Sequence, residues 1–174
     1  MNIKNTLQQG QSKVNTLKII EYVGNNSIRF KELITLFFGK DLLLIQRSAW
    51  PLSYIAIQNP QLIKPYFGKF VKLLNQEGNH SAVNRNLLKI MEEVEIPQKY
   101  QSQLFDSCIK IITNPTQPIA CIAFAITVAA KICKPYNELS NEFISILKHL
   151  QTYQQAPAIQ VRIKNAFKTL NTSL

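Results

Sequence analysis

The 174-residue sequence has few glycines and few acidic side chains. Glycine occurs only five times, which favours helices, because glycine weakens or ends them more than most residues do. Aspartate and glutamate together number 10 against 20 lysines and arginines, so the formal net charge is +10. A basic chain makes an anionic partner the first class to consider. The lysines are scattered rather than grouped in blocks, so the charge also fits a chain that binds no nucleic acid.

Charged residues are scarce overall. They make up 17% of the chain, whereas hydrophobic residues make up 46%. This composition is typical of a globular protein and not of a disordered chain or a coiled coil. The length is sufficient for one domain with a core of its own.

Cysteine is rare and shows no pairing pattern. Cys108, Cys121 and Cys133 are odd in number, lie in apolar helical surroundings and form no CxxC pair. A disulfide framework and a zinc site are therefore not expected. We predict that the three cysteines are small buried hydrophobic residues in a reducing compartment.

No apolar run is long enough to span a bilayer. The most apolar stretch, 119–130, lies between Pro118 and Lys131 and falls well short of the roughly 20 residues that a spanning helix needs. The N-terminus opens with no apolar signal region. We therefore expect a buried helix at 119–130, no membrane association and a cytoplasmic location.

Catalytic motifs are missing as well. The sequence has two histidines, His80 and His149, and shows neither a Ser/His/Asp or Cys/His spacing nor a glycine-rich phosphate loop. We expect no enzyme activity, no cofactor and no metal. The two histidines are interpreted as residues that cap helix ends.

The stretch from Asp41 to Asn75 shows most clearly how the chain is organised. Asp41 stands where a helix N-cap is expected, and apolar residues follow at alternating spacings of three and four. Pro51 lies inside this pattern, where proline removes a backbone hydrogen bond at a cost of roughly 3 kcal/mol and is expected to kink the helix. Asn59-Pro60 ends the first helix, and a second amphipathic segment follows. The stretch is therefore predicted to be a helical hairpin.

This pattern returns along the chain. Pro60, Pro97 and Pro135 lie 37 and 38 residues apart, close to the period of about 40 residues that is typical of paired-helix repeats. The polar segment 1–11 is expected to be frayed or to form a loose cap. We predict one domain over residues 1–174, with repeats at roughly 12–39, 41–76, 80–113 and 117–151 and a C-terminal cap helix at 157–171.

A proline inside a first helix, an arginine in the same helix and a proline at the corner between helices resemble the HEAT/armadillo family. The resemblance covers the chain from about residue 12. It implies an all-α fold, a right-handed α-α superhelix of about four to five helical hairpins. It also implies that the second helices line a concave surface, which binds a partner protein.

The segment Gln46-Arg47-Ser48-Ala49-Trp50-Pro51 is similar to one in short bacterial HEAT-like proteins, some of which are named adenylosuccinate lyase. The serine loop with Met-Pro-x-Lys-x-Asn that this enzyme superfamily carries is not in the sequence, so no lyase activity is expected. HEAT-like DNA glycosylases place a tryptophan near an aspartate. Trp50 has no acidic residue within the following helical turn, so no glycosylase role is assigned.

Three arginines form the first candidate site. Arg47, Arg85 and Arg162 lie at the same position of the predicted repeats, and Ala123 occupies that position in the repeat that has no arginine there. They are interpreted either as a structural ladder that bonds helix ends or an acid such as Asp106, or as a stripe of anion-binding forks.

Eight lysines form the second candidate site, a basic trough on the second helices and the cap helix. They could bind a nucleic-acid backbone, and a nucleic acid is the alternative to a protein partner. The chain is expected to be a monomer or a weak dimer. Trp50 with Tyr54 is interpreted as core or as a base-stacking platform. The lysines are Lys64, Lys69, Lys72, Lys99, Lys110, Lys148, Lys164 and Lys168.

Overall fold

The structure, a computed structural model, describes residues 1–170. Residues 171–174, which the predicted domain includes and the predicted cap helix reaches, lie outside the described residues. Residues 1–170 contain ten α-helices and two short 3-10 segments and no strand, so the all-α prediction is confirmed. The helices are α1 Ile3–Gln8, α2 Lys13–Val23, α3 Ser27–Phe37, α4 Leu42–Gln58, α5 Phe67–Leu74, α6 Ser81–Glu93, α7 Gln98–Thr113, α8 Ile119–Cys133, α9 Asn137–Tyr153 and α10 Pro157–Thr169, and the 3-10 segments Pro60–Leu62 and Lys64–Tyr66 precede α5.

The chain divides into two compact units, Met1–Val94 and Glu95–Leu174. The first unit contains α1 to α6, and the described part of the second contains α7 to α10. The predicted repeat 80–113 crosses this division, because α6 belongs to the first unit and α7 to the second. The single domain, its repeat boundaries and the hand of the superhelix stay predictions.

Helix α4 forms the centre of the first unit. The Asp41 carboxylate oxygen Oδ1 accepts hydrogen bonds from the backbone N–H groups of Leu43 and Leu44, at 3.0 and 3.2 Å, so the predicted N-cap is confirmed. The helix continues through the buried Pro51 as one element. It packs against α1, α2, α3 and α6, and its buried apolar side chains face these neighbours.

The N-terminal segment is an ordered helix. Ile3 and Leu7 in α1 are buried at 2% and 3% exposure, and the helix packs on α2, α3 and α4. Between the two alternatives for residues 1–11, the structure therefore shows a cap rather than a frayed end. Two buried apolar residues one turn apart dock this short polar helix onto its neighbours, and the start of the first repeat at about residue 12 stays a prediction.

Helix α8 forms the centre of the second unit. It packs against α7, α9 and α10, and ten of its residues are buried, as its almost wholly apolar sequence predicts. Cys108, Cys121 and Cys133 are free and buried, so the prediction that they behave as small hydrophobic residues is confirmed.

Burial affects the acidity of two of these thiols. Burial, followed by the negative charge of Glu142, raises the pKa of the Cys133 thiol to about 12. Burial, followed by the neighbouring Cys133, also raises the pKa of Cys108 above its ordinary range. Both thiols are therefore protonated, and poor nucleophiles, in the folded protein at neutral pH.

The pH dependence of stability tests the Cys133 thiol. A folded pKa above the unfolded one means that the unfolded chain loses its proton first. The free energy of unfolding is therefore unaffected by this thiol below pH ~9 and falls as the pH rises from ~9 towards ~12. Urea denaturation should show that the free energy of unfolding falls between pH ~9 and ~10.5. The fall should be larger for the wild type than for Cys133→Ala by on the order of 1 kcal/mol. Equal slopes for the two proteins would contradict a buried thiol at this position.

The side chain of His80 caps the start of α6. Its Nδ1 accepts a hydrogen bond from the backbone N–H of Ala82, at 3.1 Å, as interpreted from the sequence. His80→Ala is expected to lower the free energy of unfolding by about 1 kcal/mol, whereas His80→Asp should restore it, because aspartate is a strong N-cap. Urea denaturation measures both, with the exposed Lys64→Ala as control. If His80→Asp were as unstable as His80→Ala, the cap would not be the source of the loss.

Candidate interaction surfaces

Arg47 is bound to the scaffold. Its Nη1 donates to the backbone carbonyl oxygens of Leu7 and Gln8, at 2.8 and 3.0 Å. These carbonyls lie at the C-terminal end of α1, where backbone acceptors lack partners within the helix. The guanidinium therefore attaches α1 to α4, and this nitrogen is not available to an external anion.

Arg162 and Arg85 have different surroundings. The Nη1 of Arg162 donates to the hydroxyl oxygen of Thr127 at 2.9 Å, and its guanidinium lies over the Phe124 ring, 5.4 Å from the centroid. Arg85 is exposed and makes no hydrogen bond, ion pair or ring contact with residues 1–170. The register seen in the sequence therefore does not give the three arginines a shared environment, and their role as an anion-binding stripe stays a prediction.

The eight lysines of the predicted trough are all exposed. Three of them, Lys64, Lys69 and Lys72, belong to the first unit, and the other five belong to the second. The Nζ of Lys69 lies 5.9 Å from the centroid of the Phe38 ring. Exposure is necessary for contact with a polyanion and is also normal for lysine, so the trough stays a prediction.

A separate surface lies across α4 and α6, each of which is the first helix of a predicted hairpin. The two helices pack against each other. Trp50 and Tyr54 are one turn apart on α4, and Arg85 and Lys89 are one turn apart on α6. The Nζ of Lys89 lies 3.9 Å from the centroid of the Tyr54 ring, which joins the two pairs. We call these four residues the α4–α6 face.

The α4–α6 face lies on a fixed base. Beneath it, the hydroxyl of Ser53 is 2.8 Å from the carbonyl oxygen of Trp50 and 3.1 Å from Oδ1 of Asn86. Asn86 in turn donates from Nδ2 to the carbonyl oxygen of Ala82 at 2.8 Å. Ser53 and Asn86 are 0% and 5% exposed. Because buried polar groups cost free energy unless they are bonded, this pair fixes how α4 and α6 lie against each other.

The aromatic residues of the face are only partly buried. Tyr54 is 40% exposed, and Trp50 is half-buried, so neither belongs wholly to the core. Lys89 was not among the predicted site residues. One sequence signal could have identified it. Lys89 lies four residues after Arg85 on α6, and α6 is the helix that corresponds to α4 in the next predicted repeat.

The first unit also has two open, mainly apolar grooves. One, of about 750 Å³, lies between the ends of α3 and α5 and the starts of α4 and α6, and is lined by Phe38, Leu42 and Leu73 among others. The other, of about 650 Å³, lies beside α1 and α3. Leu42 is 82% exposed. Contiguous exposed apolar patches mark interaction sites, whereas single exposed apolar side chains are normal on protein surfaces.

Residues 1–170 contain no group of three or more histidine, cysteine, aspartate and glutamate side chains that could hold a metal ion. Over the same residues, no helix has both the length and the apolar character needed to cross a membrane.

Helices that pack around one central, mainly apolar helix in each unit, with no strand among residues 1–170, define an all-α protein. A family model described as HEAT repeat domain matches residues 3–170, and the chain belongs to this family. The match includes α1, which the sequence prediction had placed outside the repeats. Comparison with curated proteins and with solved structures gave no match. Members of the family are typically non-catalytic scaffolds that often mediate protein interactions.

Proposed function

We propose that the protein is a non-enzymatic scaffold that binds a partner protein through the surface of its helices. The α4–α6 face is the observation that carries this proposal. It presents a half-buried tryptophan beside an exposed tyrosine and an exposed arginine, and these three residue types are enriched in the energetic hot spots of protein interfaces. A repeat scaffold holds such a face rigid before binding, which lowers the entropy cost of association.

The cellular setting belongs to the same proposal. A cytoplasmic location is supported by the three free, buried cysteines, because cytosolic proteins usually keep their thiols reduced. The scaffold would act as a monomer or weak dimer, and the concave surface that HEAT repeats commonly present would be a second place for the partner to bind.

Selection of displayed peptides tests the proposal. A library of random peptides is selected on the full-length protein, and the enriched peptides are synthesised and titrated by fluorescence anisotropy. We expect peptides that bind with dissociation constants in the micromolar range or below. If no peptide is enriched above the level found with an unrelated helical protein of similar charge, the scaffold proposal fails.

Nucleic-acid binding is the second candidate, because all eight trough lysines are exposed. Phosphate contacts would make the affinity fall steeply with salt, with a logarithmic slope of about −0.9 per contact on duplex DNA. Titration of labelled single-stranded and duplex oligonucleotides across a salt series tests this candidate. A flat isotherm at low ionic strength would remove it.

A further inference from the structure

The α4–α6 face is rich in hydrogen-bond donors that the scaffold does not use. Among residues 1–170, the indole N–H of Trp50, the hydroxyl of Tyr54 and the guanidinium of Arg85 have no hydrogen-bond partner, and Lys89 contacts only the Tyr54 ring. Indole, guanidinium and ammonium groups donate hydrogen bonds and accept none. A ligand for this face must therefore supply acceptors.

The charge of the unit favours the same ligand. Residues 1–94 contain 12 lysines and arginines and 6 aspartates and glutamates, a formal net charge of +6. Arg85 and Lys89 carry positive charge one turn apart on α6, whereas Glu92 and Glu93 carry negative charge at the C-terminal end of the same helix. On α6 the two positive charges of the face therefore lie N-terminal to the two negative charges.

The geometry at Tyr54 favours a carboxylate over a stacked nucleic-acid base. A base-stacking platform needs an open aromatic face, but the Lys89 ammonium covers one face of the Tyr54 ring at 3.9 Å. The same contact holds the ammonium in place while leaving its N–H groups able to reach an acceptor. Arginine and lysine bind carboxylates through charge-assisted hydrogen bonds, which are about twice as strong as neutral ones.

We infer that the α4–α6 face binds an acidic segment of a partner protein, with a carboxylate of that segment placed between Arg85 and Lys89 and an apolar side chain against Trp50. This inference rests on the proposed scaffold function and names the partner segment by its chemistry. It places binding on first helices, outside the predicted lysine trough.

Charge reversal of the face is the decisive experiment. Peptides selected on the full-length protein are titrated against the wild type and against Arg85→Glu/Lys89→Glu. The matched control is Lys13→Glu/Lys18→Glu on α2, which makes the same change of net charge at two exposed positions of the same unit, outside the face and outside the predicted lysine trough. We expect enrichment of aspartate and glutamate beside apolar residues, and at least about 30-fold weaker binding to the face variant. The control variant should bind within about threefold of the wild type, because distant exposed charges contribute little.

A charge swap completes the test. Replacing the critical acidic residue of a selected peptide by lysine should restore binding to Arg85→Glu/Lys89→Glu while weakening binding to the wild type. Thermal melts followed by circular dichroism establish that each variant is folded, and Arg85→Gln/Lys89→Gln replaces the reversal if it is not. This milder pair should also weaken binding.

Several results would overturn the inference. Enriched peptides without acidic residues, or equal losses in the face and control variants, would place binding elsewhere and leave the scaffold proposal standing. An oligonucleotide that binds the wild type and not the face variant would make the face a nucleic-acid site. Failure to enrich any peptide would remove the scaffold proposal and the inference together.

Discussion

Replacing Phe70 by alanine is expected to lower the free energy of unfolding by about 4 kcal/mol. Phe70 in α5 is 0% exposed. Its ring meets that of Phe37 edge-on, with centroids 6.0 Å apart, and stacks on that of Phe38 at 5.6 Å. Removal of the ring loses its transfer free energy and these aromatic contacts, and it leaves a cavity that the rings of Phe37 and Phe38 cannot fill without moving.

Urea denaturation measures this loss, and a second substitution in α5 controls it. Lys72 lies on the same helix and is exposed, so Lys72→Ala should change the free energy of unfolding by no more than about 0.5 kcal/mol. Phe70→Leu keeps part of the volume and should lie between the two. If Phe70→Ala cost less than about 1.5 kcal/mol, the aromatic cluster would not be a principal part of the core of the first unit.

The helices that could be predicted best are those where several local signals agree. For α4, an aspartate at the N-cap, apolar residues at a helical period and an Asn-Pro stop all mark the same element, and the structure has it at Leu42–Gln58. Helix α1 gave no such agreement. It has six residues, too few to be stable alone, and its helical state depends on packing against α4 and on the bond from Arg47, which is 40 residues away from Leu7 in the chain.

The candidate sites show the same limit. Arginines at the same repeat position are predicted to lie at similar places on their helices. Their hydrogen-bond partners, however, depend on what packs beside each helix. Arg47 has the end of α1 beside it and Arg162 has Thr127, whereas Arg85 lies in the open. The pairing of Tyr54 with Lys89 is likewise a tertiary contact between two helices. Sequence periodicity indicated which helices exist, and only the packed structure showed which side chains meet.

Ala129→Asp is expected to have the largest effect of all. It should lower the free energy of unfolding by at least about 4 kcal/mol and unfold the second unit. Ala129 is 0% exposed in α8, which packs against α7, α9 and α10. An aspartate at this position must either bury a charged carboxylate or separate the helices.

Ile119→Asp is the matched control for this substitution, because it places the same side chain in the same helix. Ile119 is 49% exposed and is the first residue of α8, where a negative charge interacts favourably with the helix dipole. Its stability should stay within about 0.5 kcal/mol of the wild type. Hydrogen exchange measured by mass spectrometry should show loss of protection in α7, α8, α9 and α10 for Ala129→Asp alone. A buried carboxyl group has a raised pKa, so the deficit of Ala129→Asp should shrink as the pH falls towards ~4. A deficit that does not change with pH would mean that crowding, and not the buried charge, destabilises the helix.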